Sequence, residues 1–337
     1  MRRRFSIGLA IALATALMAA PTANAAPDDG EVVVADRASG SISVIDLATQ
    51  SLVQTIALPD DGEPMYVVSS RSGDRVYVGD RANDQVVVFD SSDWSVVGTV
   101  PTGAGVFHMW ADPAGKQLWV NNDVDLTSTV IDLKTSEVLA TVPIPADLVA
   151  DGYKPHDVTL STNGRSAFVS LVGGEDHDWV VRYDTRTFTE KARAAVARDP
   201  HVSVTNRALY VPAQDGDVVH VLDLKTLETI EALDVPGAHG AFMGPNKIFY
   251  TTNLPGGGVD GLWAIDTKTN TVLGSVDTAY AVPHNVVTTP NNLVFVTHSG
   301  GESDKVTIFS VSKDAPVPVA VGEVTVGLNP FGLAYVP

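Results

Sequence analysis

An internal repeat constrains the fold of this chain more than any other feature, because a β-rich run closes on aspartate roughly every 40–50 residues. Four short strands per repeat of this length are typical of a β-propeller blade. Short runs of Val, Ile, Phe, Tyr and Thr alternate with Gly, Asn and Asp turns, and no long segment has a helical period. We therefore predict an all-β, seven-bladed propeller from the repeats Val44-Ile45-Asp46, Val88-Phe89-Asp90, Val130-Ile131-Asp132, Arg182-Tyr183-Asp184, Val221-Leu222-Asp223, Ala264-Ile265-Asp266 and the degenerate Ile308-Phe309-Ser310.

The phase of the repeat predicts how the ring closes. The first copy lacks the strand that opens each later copy, and the chain ends with an unpaired one from Asn329 to Tyr335. The C-terminal strand should therefore pair with the N-terminal strand near residues 31–35. Closure of this kind leaves only short, protected sheet edges.

The blade phrases resemble a known family. Arg75-Val76-Tyr77-Val78-Gly79-Asp80 and Val86-Val87-Val88-Phe89-Asp90 are similar to the blade core of YVTN-type seven-bladed propellers. The resemblance covers residues 26–337 as one domain and implies the fold. It does not imply an activity, because that family is functionally mixed.

The N-terminus has the pattern of a secretory signal peptide over residues 1–25. A basic start is followed by an apolar run from Phe5 to about Ala20 and a small-residue cleavage site, Ala23-Asn24-Ala25. We therefore expect a secreted or periplasmic protein. The sequence Arg2-Arg3-Arg4-Phe5 also resembles a twin-arginine export signal.

Composition excludes several classes of function. The chain has no cysteine, so it has no disulfides, thiolate ligands, Fe–S clusters or thiol nucleophile. Its net charge of −18 disfavours nucleic acid and anionic membranes as partners. No stretch after the N-terminal run approaches the ~20 apolar residues of a membrane span. We expect a monomer.

Five of the eight histidines stand at corresponding points of the repeat, where the first strand of a blade begins. A propeller gathers these points around one mouth of the central channel. The two remaining copies carry Met65 and Phe331. The five residues are His108, His156, His201, His239 and His284.

A ring of imidazoles predicts a transition-metal site, because neutral imidazole is the commonest metal ligand in proteins. Copper or zinc is the expected ion, and a thioether ligand from Met65 would favour copper. His298 ends a second strand at the same mouth and is a further candidate ligand. Asp157 would either orient a neighbouring imidazole or cap its own strand. Affinity should fall as the pH drops through the imidazole range near ~6.5.

Two resemblances suggest what such a site does. The histidine-rich mouth is similar to that of periplasmic propeller zinc metallochaperones, which implies metal capture and delivery to a partner protein. Lys154-Pro155-His156-Asp157 is similar to the Pro-His-Asp motif of the nitrous oxide reductase propeller, which implies a copper oxidoreductase. The chain lacks the cupredoxin domain and cysteines of that enzyme. A metal-independent lactonase or lyase and an interaction scaffold remain alternatives.

Overall fold

Repeated four-stranded sheets build the whole of the described chain. The structure, a computed structural model, describes residues 30–337, so the expected signal peptide at 1–25 lies outside the described residues. Within that range the chain forms seven antiparallel sheets of four strands each. The prediction of an all-β, seven-bladed propeller is therefore confirmed.

The strands follow one another with short turns between them. The first three blades in chain order contain β1 (Glu31–Asp36), β2 (Ser41–Asp46), β3 (Ser51–Ala57), β4 (Pro64–Ser69), β5 (Arg75–Asp80), β6 (Gln85–Asp90), β7 (Val96–Pro101), β8 (Val106–Ala111), β9 (Gln117–Asn122), β10 (Thr127–Asp132) and β11 (Glu137–Pro143). The next two contain β12 (Lys154–Leu160), β13 (Ser166–Val172), β14 (Asp178–Asp184), β15 (Glu190–Val196), β16 (Ser203–Val204), β17 (Ala208–Ala213), β18 (Val218–Asp223) and β19 (Thr229–Asp234). The last strands are β20 (Ala238–Met243), β21 (Ile248–Asn253), β22 (Leu262–Asp266), β23 (Thr271–Val276), β24 (Pro283–Thr288), β25 (Leu293–His298), β26 (Lys305–Ser310), β27 (Val319–Thr325) and β28 (Pro330–Val336).

Helical structure is confined to short connections. The helix α1 (Ala146–Ala150) lies between β11 and β12, where it accounts for the longest spacing in the repeat, and its Leu148 packs into the core. Single 3₁₀ turns lie at Arg37–Ser39, Pro59–Asp61, Gln214–Gly216 and Pro245–Lys247. Within residues 30–337, no helix has the length and apolar character that crossing a membrane requires.

The two ends of the described chain close the ring in one blade. Strand β28 pairs with β1 in antiparallel register, with Glu31 opposite Val336 and Val33 opposite Ala334. The sheet order is β28-β1-β2-β3, so the last strand of the chain is the innermost strand of the blade that contains the first. The predicted closure is confirmed.

The core lies between neighbouring blades. One apolar cluster joins Val33 and Val44 of the closing blade to Val78 and Phe89 of the next, all fully buried. Each such side chain stabilises the fold by about 1.5–3 kcal/mol. In six of the seven blades the third strand ends on an aspartate that accepts hydrogen bonds from the backbone of the following turn, as Asp46 does from the Thr49 N–H at 2.7 Å.

A β-bulge at the start of the innermost strands determines which side chains reach the channel. The ladder register shifts by one residue between Pro64 and Val67 in β4, and corresponding shifts occur in β8, β12, β20 and β24. Two residues of the inner strand therefore oppose one residue of its partner. Both bulge positions approach the channel mouth, and they carry different residues in each blade.

Candidate functional site

The five histidines of the repeat come together at one mouth of the channel, and we call them the histidine cluster. Going around the axis, ring centroids lie 5.1 Å apart for His108 and His156, 4.7 Å for His156 and His201, 4.0 Å for His201 and His239, and 4.9 Å for His239 and His284. Phe331 packs 4.0 Å from His284. The cluster draws on five consecutive blades.

Three members, His108, His156 and His201, form a triad with the geometry of a metal site. One ligand atom from each lies within 4.8 Å of the other two. The Nε2 atoms of His156 and His201 are 3.3 Å apart. Two nitrogens that share an ion at about 2.1 Å in tetrahedral geometry are separated by about 3.4 Å. The pair therefore already has the separation that a shared ion requires.

Asp157 orients two members of the triad. Its carboxylate lies 2.9 Å from Nδ1 of His108 and 3.5 Å from Nδ1 of His201. It also accepts the backbone N–H groups of Val158 and Val202. A carboxylate that holds the proton on Nδ1 leaves the Nε2 lone pair of the imidazole available to a ligand.

The same contacts keep Asp157 ionised. Burial alone would raise the pKa of this carboxyl, but His108 and then His201 bring it well below its ordinary value. The geometry supports both roles left open by the sequence, because the carboxylate contacts two neighbouring imidazoles and also accepts the Val158 N–H of its own strand.

Tyr66 contacts the triad, although no pattern in the sequence predicts this contact. Its hydroxyl lies 2.6 Å from Nε2 of His108, and the two ring centroids are 3.8 Å apart with the ring planes inclined by 31°. Burial raises the pKa of Tyr66 well above its usual range, so the hydroxyl keeps its proton and donates to Nε2. An ion bound at this nitrogen must displace the Tyr66 hydroxyl.

The bulge explains this contact. Tyr66, His108 and Asp157 occupy the second bulge position of their strands, whereas His156, His239 and His284 occupy the first. His108 therefore stands one residue later in register than the sequence repeat indicated.

Burial keeps most of the cluster neutral. It lowers the pKa of His156 and of His239 well below the ordinary imidazole value, and the neighbouring imidazoles lower both further. The pKa of His284 falls to about 3 for the same reasons. Neutral imidazoles are the form that binds metal, so the expected loss of affinity near ~6.5 should occur at lower pH.

His239 is the most unusual member of the cluster. It is 5% exposed, and neither of its ring nitrogens has a hydrogen-bond partner among the described residues. Leaving a buried polar group unpaired costs about 1–3 kcal/mol. Buried polar groups in a packed core are almost always hydrogen-bonded, so an unpaired imidazole beside the triad indicates a ligand-binding site.

The other two candidate ligands lie apart from the cluster. His298 uses both ring nitrogens within its own blade, at 2.8 Å from the Thr307 hydroxyl and 3.1 Å from the Ala281 carbonyl. Met65 is fully buried in an apolar cluster with Val106 and Met109. Its neighbour Tyr66 provides the contact with His108.

The sequence profile of one family, the cytochrome D1 heme domain, matches residues 22–202, more than half of the chain. The chain belongs to the cytochrome d1 heme domain family. Among curated proteins, none matches it significantly by sequence.

Solved structures share the propeller fold of this d1-family chain at low identity. Hydrazine synthase of Kuenenia stuttgartiensis is 15% identical, with a TM-score of 0.64 over 80% of this chain and 88% of that one. The dihydro-heme d1 dehydrogenase NirN in complex with DHE is 16% identical, with a TM-score of 0.63 over 90% of this chain and 66% of that one. A putative 6-phosphogluconolactonase from Bacteroides uniformis is 16% identical, with a TM-score of 0.71 over 92% of this chain and all of that one.

The family match corrects the expected cofactor. Copper or zinc is wrong, because the d1 heme domain family and a structural neighbour that acts on a d1-type heme point to a heme-type cofactor. Neither the YVTN-type label nor the metallochaperone resemblance is confirmed. Imidazole is a suitable ligand for iron, copper and zinc alike, so the residue types alone did not distinguish these metals.

The donor set of the histidine cluster suits a heme iron, but its spacing does not suit a macrocycle. Histidine is a common axial ligand of heme iron. A flat ring held between two aromatic faces needs those faces about 7 Å apart, at ~3.5 Å for each contact. Neighbouring imidazole centroids are only 4.0–5.2 Å apart. A macrocycle does not fit between them, whereas an iron ion does.

Proposed function

We propose that this propeller binds an iron centre at its channel mouth, with the imidazoles of His108, His156 and His201 as ligands. The observation that carries the proposal is the triad itself: one ligand atom from each imidazole lies within 4.8 Å of the other two, and the Asp157 carboxylate contacts Nδ1 of His108 and of His201. Family membership supports iron as the metal.

The iron could come from two sources that share this chemistry. A ferrous ion would take all three imidazoles of the triad. A heme-type group would be held through its iron by one imidazole of the triad, and the packed rings of the cluster would leave no room for its macrocycle between them. The close packing of the cluster favours the ion.

We further propose that the protein holds this iron outside the cytoplasm. The basic start, apolar run and small-residue cleavage pattern over residues 1–25 support export.

Anaerobic loading separates the two sources. Iron-free protein is incubated with ferrous ammonium sulfate in one arm and with hemin in the other, then desalted and analysed for iron. We expect about one ferrous ion per chain, and we expect His156→Ala with His201→Ala to abolish it. A Soret band that shifts on hemin binding, and is lost in the same double variant, would identify the heme-type source instead.

His220 provides the matched control, because it lies outside the cluster and its Nε2 accepts the Ala197 N–H at 3.1 Å. His220→Ala should retain iron as the unmodified protein does. Circular dichroism verifies that each variant keeps its β-rich fold. Failure to retain iron from either source, or equal retention by the double variant, would refute the proposal.

A further inference from the structure

A cavity lies at the channel mouth opposite the histidine cluster. It has a volume of about 640 Å³, within the range of small-molecule sites, and it opens between the ends of β4, β8, β20, β24 and β28. His108 and Trp110 lie on the same inner strand, two residues or about 7 Å apart along it. His108 faces the cluster, and Trp110 lines this cavity. The two sites are therefore separate ends of one channel.

We propose that this cavity binds a flat aromatic small molecule that carries one anionic group. The inference does not rest on the proposed iron centre. The inner wall of the cavity is aromatic and apolar. Trp110 and Phe242 come from different blades and meet with ring centroids 6.0 Å apart, and Leu333 and Met243 also line the wall. Ring systems pack well against such walls.

The polar groups of the lining are largely committed to the protein. The Ser69 hydroxyl donates to the Tyr335 carbonyl at 2.8 Å, and the Thr289 hydroxyl donates to Asn291 at 2.6 Å. The Asp112 carboxylate accepts the Lys116 N–H at 2.7 Å. A ligand would therefore be selected by shape and apolar contact rather than by a dense set of hydrogen bonds.

Arg71 provides the charge preference. It stands exposed at the rim, and among residues 30–337 no ion pair forms at its guanidinium. The acidic side chain of the lining, Asp112, is 6% exposed and bonded to the Lys116 N–H, whereas Arg71 is exposed. A cation without a partner at the edge of an apolar cavity favours an anionic substituent, which remains near solvent while the rings enter the cavity.

Prolines restrict the backbone conformation of the rim. Pro113, Pro245 and Pro290 each follow the end of an innermost strand and line the opening. Proline fixes its own φ and offers no N–H, so the rim neither collapses easily nor presents donors at these points. Pre-organisation of this kind lowers the entropy lost on binding.

The test uses 1-anilinonaphthalene-8-sulfonate, an anionic aromatic probe, and N-phenyl-1-naphthylamine, its uncharged relative, with iron-free protein. Fluorescence titration should give one saturable site for each. Trp110→Ala should weaken both by at least about tenfold, because a central aromatic contact is lost. Phe242→Leu, a milder change, should weaken both in the same direction. Arg71→Ala should weaken only the sulfonate, by about two- to fivefold.

Trp179 provides the matched control, since it is a partly exposed tryptophan that packs beside His177 outside the cavity. Trp179→Ala should leave both affinities unchanged. The double variant His156→Ala with His201→Ala should also bind both probes normally, so failure of the iron proposal would not mimic failure of this one. No saturable binding, or binding that Trp110→Ala and Phe242→Leu leave intact, would overturn the inference.

Discussion

His239 should make the iron-free protein less stable than a chain with an apolar residue in its place. Both of its ring nitrogens are buried and unpaired among the described residues. His239→Leu removes these two polar atoms and keeps a side chain of similar volume. Removing an unsatisfied buried polar group recovers about 1–3 kcal/mol, and imperfect repacking returns part of this gain. We expect the free energy of unfolding to rise by about 1–2 kcal/mol.

Urea unfolding at pH 7, followed by circular dichroism, measures this change directly. Thermal unfolding gives a second value, since a gain of this size raises the Tm of a large domain by about 2–8 °C. His298→Leu is the matched control, because it leaves the Thr307 hydroxyl and the Ala281 carbonyl without their partner. It should lower the free energy of unfolding by about 2–4 kcal/mol.

The two variants together test the reasoning. The free energy of unfolding should rise in His239→Leu and fall in His298→Leu, because the ring nitrogens are unpaired in the first histidine and hydrogen-bonded in the second. If His239→Leu destabilised the protein as much as His298→Leu does, the ring nitrogens of His239 would have partners in solution, and its interpretation as an orphan ligand would be wrong.

Three further predictions concern titration and ligand orientation. The pKa of His284 is about 3 in the folded chain and ~6.5 in the unfolded chain, so between these values only the unfolded chain binds the proton and stability falls as the pH falls. His284→Gln should reduce the slope of the unfolding free energy against pH by about 1.4 kcal/mol per pH unit, which urea unfolding at pH 5 and 6 measures. Burial raises the pKa of Asp36 to about 7, so between pH ~3.9 and pH 7 the folded chain binds a proton that the unfolded chain does not, and stability falls as the pH rises through this window. Asp36→Asn should therefore be more stable than the unmodified protein in urea unfolding at pH 8, and this advantage should be absent at pH 4. Asp157→Asn should weaken ferrous binding by about 10–100-fold in a chelator competition while the fold remains, and unchanged affinity would show that this carboxylate does not orient the ligands.

The fold was predictable because its information is local and repeated. Six of the seven copies of the repeat carry a turn-forming aspartate and the seventh keeps the spacing, so the period predicted the number of blades. The unpaired strand ending at Tyr335 predicted ring closure, and its pairing with β1 agrees.

The site was only partly predictable. The convergence of the five histidines followed from the repeat, but the one-residue shift of the bulge did not. Because of that shift, His108 occupies the second bulge position of its strand, as Tyr66 and Asp157 do. The shift depends on pairing between strands and not on any local sequence pattern. The identity of the metal was also beyond the sequence, because neutral imidazole binds several ions.

The blade that closes the ring supplies Phe331 to the channel mouth and no member of the histidine cluster. Ligand binding would therefore cross-link consecutive blades on one side of the axis. In the closing blade, the two chain ends would still be joined by the backbone hydrogen bonds between β28 and β1 and not by the ligand. Peeling away β28 would not have to break a coordinate bond. Loss of bound iron and release of the C-terminal strand to a protease are thus expected to be separable events in the unfolding of this protein.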